Sequence, residues 1–424
     1  MLIEFSVTNY RSFLGTQCLS MAAGSKADHL KENTFVSPIN GNLRLLRSAV
    51  IYGPNAAGKS NLVSALEFMR EFVLNSSKEK QEGEPIGRVP FLFDSEAKSW
   101  PSEFEVFFIQ DSVRYQYGFS CTESRVTGEW LLAYPGNRAQ RWFERAFDPK
   151  AGKDEWYFGS HLTGPKKTWM ESTRSNALFL STAVQLNSEK LKPVFQWFKK
   201  LAVIGHGAIM GDSFTVECCE DADKKRRILS FIQNADIQIS DIMVEEEKIS
   251  FEDFPFPKDM PNEVQRVLKK DLDGRTIKNV AFKHKAANSS DDVIMDIENE
   301  SDGTLKLFSY AGPLMDVMEK GRVLVVDEFN NSFHPLIIQY LLSIIHNDEM
   351  NKANGQLIFT THDTSLLDQD ILRRDQIWFM EKDDNQASTL YSLLEFKPRN
   401  KEALRKGYLQ GRYGALPYIG EVRF

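Results

Sequence analysis

Residues 48–60 read Ser48-Ala49-Val50-Ile51-Tyr52-Gly53-Pro54-Asn55-Ala56-Ala57-Gly58-Lys59-Ser60, a short apolar run that turns into a glycine-containing loop and closes on Lys-Ser. The apolar run predicts a buried strand. The loop carries the P-loop pattern, with both glycines, the lysine and the hydroxyl in place. Backbone N–H groups of such a loop wrap phosphate oxygens, and the helix that follows aims its positive end at them. Lys59 is placed to bridge terminal phosphates and Ser60 to hold Mg²⁺, with Gly53, Pro54, Asn55, Ala56, Ala57, Gly58 and Asn61 completing the cradle. The plain alternative is a glycine-rich turn between a strand and a helix. Binding of a nucleoside triphosphate is the expectation, and its use must be read elsewhere in the chain.

Two later strands supply that reading. Arg322-Val323-Leu324-Val325-Val326-Asp327-Glu328 is an apolar run ending in two acids. A buried strand delivers such acids to the carboxyl edge of a parallel sheet, where ligands bind. Asp327 can hold Mg²⁺ there, and Glu328 can polarise a water for attack on a γ-phosphate. Gln356-Leu357-Ile358-Phe359-Thr360-Thr361-His362-Asp363 is a third such strand, and His362 at its tip can orient that water. A lone histidine is more often a cap or core residue; its place after the Asp-Glu strand gives it a functional reading. The expected catalytic set is Glu328, His362 and Lys59.

Around these strands, Leu62, Leu66, Met69 and Val73 recur at helical spacing and predict a helix from Lys59 to about Ser76. The first 20 residues read as two strands around Asn9-Tyr10-Arg11-Ser12-Phe13. From Glu103 to about Phe158 the pattern alternates, with Gln110-Asp111-Ser112 as the turn of an antiparallel hairpin. Residues 170–200 read as helical. Strands at 322–327, 356–361, 376–380 and 389–394 alternate with helical stretches and argue for a parallel α/β sheet. No heptad run supports a long coiled coil. The expected division is 1–168 (P-loop and antiparallel β lobe), 169–300 (helical insert) and 301–424 (the rest of the nucleotide-binding head).

The chain has 424 residues, 42% hydrophobic and 26% charged, as in ordinary globular proteins. No apolar run is long enough to span a membrane. The four cysteines contain no CxxC pair, and the N-terminus lacks signal-peptide character, so a cytoplasmic location is expected. A net charge of −7 and a pI near 5.7 argue against a whole-surface nucleic-acid interface. A local basic cluster remains at Lys397, Arg399, Lys401, Arg405, Lys406 and Arg412, for which a solvated helix face is the plainer reading.

The three strand ends together resemble the ABC-type ATPases, within the branch that contains RecF and the SMC proteins. Asn9-Tyr10-Arg11-Ser12-Phe13 is similar to that branch's opening turn, which implies that Arg11 approaches the nucleotide. The resemblance implies an ABC-type P-loop head of α/β class: a RecA-like parallel sheet, an antiparallel β lobe and an inserted helical lobe. It also implies a signature loop supplied by a second subunit. No Leu-Ser-Gly-Gly-Gln occurs; Glu300-Ser301-Asp302-Gly303-Thr304 stands at its position, with Ser301 and Gly303 as nucleotide contacts or, alternatively, as a plain helix cap. His334 stands where many relatives have the D-loop aspartate. Gln185 is the chosen Q-loop residue reaching the metal, with Gln110 and Gln116 as alternatives.

Phe333-His334-Pro335, Thr361-His362-Asp363, Asp375-Gln376-Ile377-Trp378-Phe379 and the terminal Gly411-Arg412-Tyr413-Gly414-Ala415-Leu416-Pro417 resemble compact bacterial ATPases of the RloA and AbiL kind. That resemblance implies an ATP- and Mg²⁺-dependent ATPase of anti-phage defence (abortive infection). It implies a head-to-head homodimer or higher oligomer, a separately encoded effector such as a nuclease or toxin, and a phage-derived trigger; nucleic acid is not required and no membrane is involved. The competing readings are a RecF-like DNA repair ATPase and a poorly hydrolysing scaffold with ATP as a structural ligand.

Overall fold

The computed structural model describes all residues except 25–30, 40–42, 80, 137, 206–210, 249–259, 262, 267–275, 287–290, 332, 368–370, 399–402 and 419–424. Arg399 and Lys401 of the basic cluster therefore lie outside the described residues. The chain forms two compact units, one from Met1–Ala208 with Asp316–Phe424, the other from Ile209–Met315.

Along the first part of the chain come β1 (Leu2–Thr8), β2 (Gln17–Ser20), β3 (Thr34–Val36), β4 (Arg44–Leu46), β5 (Ser48–Tyr52) and α1 (Lys59–Glu79). Then follow β6 (Ser102–Gln110), β7 (Val113–Cys121), β8 (Val126–Tyr134), β9 (Gln140–Asp148) and β10 (Lys153–Phe158). Helices α2 (Lys166–Ser172), α3 (Phe179–Gln185) and α4 (Lys192–Lys200) lead to β11 (Ala202–Ile204). The second unit holds α5 (Ser213–Cys219), α6 (Ala222–Gln233), β12 (Asp241–Lys248), β13 (Thr276–Lys285), β14 (Asp292–Asp296) and the start of α7 (Asp302–Lys320). The chain then returns to the first unit with β15 (Val323–Val326), α8 (Pro335–His346), β16 (Gln356–Thr360), β17 (Ile377–Lys382), β18 (Ser388–Ser392) and α9 (Leu404–Leu409).

A six-stranded sheet in the order β11-β15-β16-β5-β17-β18 organises the first unit. Its first five strands are parallel. Strands β5, β15 and β16 are buried along their whole length, which explains why they read as unbroken apolar runs. The strand carrying His362 at its end therefore lies between the Asp327-Glu328 strand and the P-loop strand. The expected parallel sheet carries one antiparallel strand at its edge, where β18 pairs with β17. Only Asp383–Ala387 join them, too short for a crossover, and the Asp383 N–H donates to the Ala387 carbonyl to close the turn (3.0 Å).

A seven-stranded antiparallel sheet, β10-β9-β8-β7-β6-β1-β2, forms the second layer. The expected hairpin is present, with Gln110 opposite Val113. Helix α1 joins the two sheets. Its predicted face (Leu62, Leu66, Met69, Val73) is buried, and Phe68 and Phe72 lie 5.1 and 5.3 Å from the rings of Phe104 and Phe119 in the antiparallel lobe. At 21 residues α1 is the longest helix among the described residues.

The unit boundaries fall elsewhere than 168/169 and 300/301. Helices α2–α4 belong with the first unit because they pack around α1 and β6. Glu129, fully buried, accepts hydrogen bonds from the Phe179 and Leu180 N–H groups (2.6 and 3.0 Å) and from the Tyr117 hydroxyl (3.0 Å), which ties the start of α3 to the antiparallel sheet. The second unit is mixed rather than helical: α5 and α6 accompany a three-stranded antiparallel sheet, β12-β13-β14. Phe282 of β13 meets Phe308 of α7 edge to face at 5.2 Å.

Candidate nucleotide-binding site

The P-loop is held from three directions. A Cβ at Gly53 would lie 2.3 Å from the Met380 carbonyl oxygen of β17, so only glycine lets the loop leave β5 here. Gly58 has φ of +111°, and a Cβ there would lie 2.4 Å from Ser388 Oγ and 2.8 Å from Ser12 Oγ. The Ser388 hydroxyl donates to the Ala57 carbonyl (2.6 Å), and the Asn61 amide donates to Ser12 Oγ (2.7 Å). The Ser388 N–H donates to the Ser12 carbonyl (2.7 Å). Pro54 is half-buried, Asn55 and Ala56 are exposed, and Ser60 is half-buried in the first turn of α1.

Lys59 is buried, and its ammonium donates to the carbonyls of Gly53 (2.8 Å) and Pro54 (3.0 Å). Burial lowers its pKa to about 8, against the opposing pull of the Asp327 and Glu328 carboxylates.

Asp327 and Glu328 leave the end of β15 in a turn stapled to β16. The Thr360 hydroxyl donates to Asp327 Oδ1 (2.5 Å) and accepts from the Glu328 N–H (2.7 Å), while the Phe329 N–H donates to the Thr360 carbonyl (3.0 Å). Glu328 takes a left-handed backbone, φ +50°, an uncommon conformation for a residue with a side chain. The Asn331 amide donates to its Oε2 (2.6 Å). On the same strand end, Asn330 Oδ1 accepts from the Thr361 hydroxyl (2.9 Å) and the His362 N–H (3.4 Å). His362 is exposed. Partial desolvation and then the Lys59 charge lower its pKa, while Glu328 and Asp327 pull it up. Lys59, Asp327, Glu328 and His362 thus share one electrostatic neighbourhood at the carboxyl edge of the sheet.

The remaining expected residues divide. Arg11 is exposed in a turn with φ +50°, its N–H donating to Val89 O (2.8 Å), and its neighbour Ser12 touches the P-loop. Ser301 and Gly303 belong to the second unit. Ser301 caps α7, its hydroxyl accepting the Thr304 N–H (3.2 Å), and Gly303 lies in the first turn. His334 caps α8 through Nδ1, which accepts the Leu336 N–H (3.3 Å). Gln185 is the exposed last residue of α3, on a helix packed against α1, α2 and α4. Of its alternatives, Gln110 lines a cavity with Gly321, Arg322 and Val323, at the amino end of β15 and so opposite the edge that carries Asp327 and Glu328. Gln116 is held by its own sheet, donating to Glu105 Oε1 (2.8 Å) and accepting from the Tyr134 hydroxyl (2.9 Å).

Sequence reading missed Thr360, Ser12, Ser388, Asn330 and Asn331 as parts of this site. Thr360 and Ser12 stand inside stretches that were singled out; Ser388 carries no local signal.

A family model described as "AAA domain, putative AbiEii toxin, Type IV TA system" matches residues 48–177 and 232–368. No curated protein matches the sequence. Among solved structures, the SMC head domain from Thermotoga maritima is similar at 12% identity and TM-score 0.40, over 92% of this chain and 98% of that one. An SMC head bound to the C-terminal winged-helix domain of ScpA gives 11% identity and TM-score 0.43, over 92% and 97%. An SMC head with an extended coiled coil bound to the C-terminal domain of ScpA, derived from Pyrococcus furiosus, gives 10% and 0.37, over 93% and 96%.

Proposed function

The chain belongs to the AAA-domain family whose description names the AbiEii toxin, and on that premise we propose that it is a Mg²⁺-dependent ATPase of a bacterial anti-phage defence system. One observation carries the hydrolytic part: the P-loop with Lys59, the Asp327-Glu328 turn and His362 follow the carboxyl ends of three adjacent parallel strands.

The residues fit the group they are asked to hold. Gly53 and Gly58 leave no room for a Cβ, so the loop stays tight enough for its amides to converge on phosphate. Ser60 and Asp327 offer hard oxygen donors, which suit Mg²⁺. When bound, Mg²⁺ neutralises charge on the phosphates. The chain's own residues do the rest. The P-loop amides and Lys59 bind and orient the phosphates. Glu328 accepts a proton from the attacking water, and His362 holds that water in line. Ser301 and Gly303 of a second copy close over the nucleotide, so hydrolysis and dimerisation are linked. The family's link to a toxin system supports a role in which this ATPase senses infection and controls an effector, a nuclease or toxin encoded nearby.

The test is steady-state ATP hydrolysis by the purified chain with and without Mg²⁺. Glu328→Gln should lower kcat by about 10²- to 10⁴-fold while nucleotide is still bound. Unchanged turnover in that variant removes the hydrolytic assignment. Phage challenge of cells carrying the gene with its neighbours tests the biological role: Lys59→Ala should abolish protection.

A further inference from the structure

We propose that Thr360 is a positioning residue that sets both acids of the site through one hydroxyl. The inference rests on the nucleotide reading above and deepens it. Thr360 is fully buried at the end of β16, between the strand that ends in Asp327-Glu328 and the strand that opens the P-loop. A hydroxyl has one proton to give and lone pairs to receive with. Thr360 gives its proton to Asp327 Oδ1 at 2.5 Å, which fixes the rotation of that carboxylate. It receives the Glu328 N–H at 2.7 Å, which holds the peptide that places Glu328 at φ +50°. The Phe329 N–H to Thr360 O bond (3.0 Å) closes the same staple from the backbone side.

The metal-facing acid and the water-activating acid are adjacent in sequence, and an extended strand would send their side chains to opposite faces. The left-handed residue breaks that alternation. Such a conformation persists only where surrounding contacts over-determine it, and Thr360 is the contact that does so from the neighbouring strand. Two residues further on, the same strand delivers His362. One side chain thereby sets two groups of the site, on the strand that leads to the third.

Thr360→Val keeps the shape and removes both hydrogen bonds; Thr360→Ser keeps the hydroxyl and loses only a methyl. Thermal melts identify folded variants. Two measurements then separate positioning from a structural role. The first is amide hydrogen exchange at Glu328 in protein without nucleotide: exchange should be about tenfold faster in Thr360→Val and near wild type in Thr360→Ser. The second is Mn²⁺ binding in the presence of ATP, followed by electron paramagnetic resonance on a Glu328→Gln background. Here Thr360→Val should weaken Mn²⁺ by about 10- to 100-fold, with Thr360→Ser restoring most of it. A folded Thr360→Val protein matching its parent in both measurements overturns the assignment alone. A parent protein that does not bind Mn²⁺ with ATP overturns the nucleotide reading, and the assignment with it.

Discussion

Ser388 Oγ lies 2.8 Å from Ser12 Oγ, although 376 positions separate the two residues in sequence. The pair lies against the P-loop at Gly58, where a Cβ would come within 2.4 and 2.8 Å of the two oxygens. A turn near the start of the chain and a strand near its end thus clasp the phosphate cradle, and the loop's conformation is a tertiary property as much as a local one.

Gly58→Ala tests that clasp. The variant must place a side chain at φ +111° and within 2.4 Å of Ser388 Oγ, at a strain of about 1–3 kcal/mol. The expected outcome is a folded protein with a modestly lower Tm that no longer binds ATP in a calorimetric titration. Wild-type affinity in this variant shows that the loop tolerates a side chain where the structure leaves none.

A pH prediction follows from Lys59, whose pKa is lowered from 10.5 to about 8 by burial. The unfolded chain therefore binds more protons than the folded one between these two values, and stability rises with pH there. The cost of holding the charged ammonium in its buried place is fully present below about 8 and is relieved as the pH climbs toward 10.5. Phosphate oxygens favour the charged form. ATP binding should accordingly take up protons at about pH 9 and almost none at about pH 6.5. Calorimetry in two buffers of different ionisation enthalpy measures this directly; equal proton uptake at both pH values contradicts it.

Mixing two inactive variants tests whether the site is shared. In a head-to-head dimer of one Ser301→Ala chain and one Lys59→Ala chain, one composite site keeps both its Lys59 and its Ser301, and the other loses both. Each variant alone should hydrolyse ATP poorly, and an equimolar mixture should regain a measurable fraction of wild-type turnover. If Ser301 serves only to cap α7, its loss costs about 1 kcal/mol of helix stability, Ser301→Ala alone retains full activity, and mixing restores nothing.

Much of the first unit was legible because its signals are local. β5, β15 and β16 are buried runs, α1 has an unbroken helical stripe, and the hairpin at Gln110–Val113 follows from alternation around Asp111-Ser112. What escaped depends on distance. β11 is three residues long and earns its place only by pairing with β15. The direction of β18 was hidden because alternation marks a strand and not its partner. Thr360 acts across to the neighbouring strand, and Ser388 across nearly the whole chain. The second unit's sheet was missed where acidic residues on β12 pair with a strand some 30 positions later: Glu246 stands opposite Lys278, a charge pairing across strands that the expectation of a helical insert over 169–300 did not include.

The clasp at Gly58 also has a temporal meaning. Ser388 donates to a carbonyl that lies 331 positions earlier, at Ala57. At about 5–20 residues per second, a ribosome takes roughly 15–65 s to travel between them. A nascent or prematurely terminated chain therefore presents the phosphate-binding loop without its brace. A chain that stops short of Ser388 lacks the hydroxyl that holds the Ala57 carbonyl.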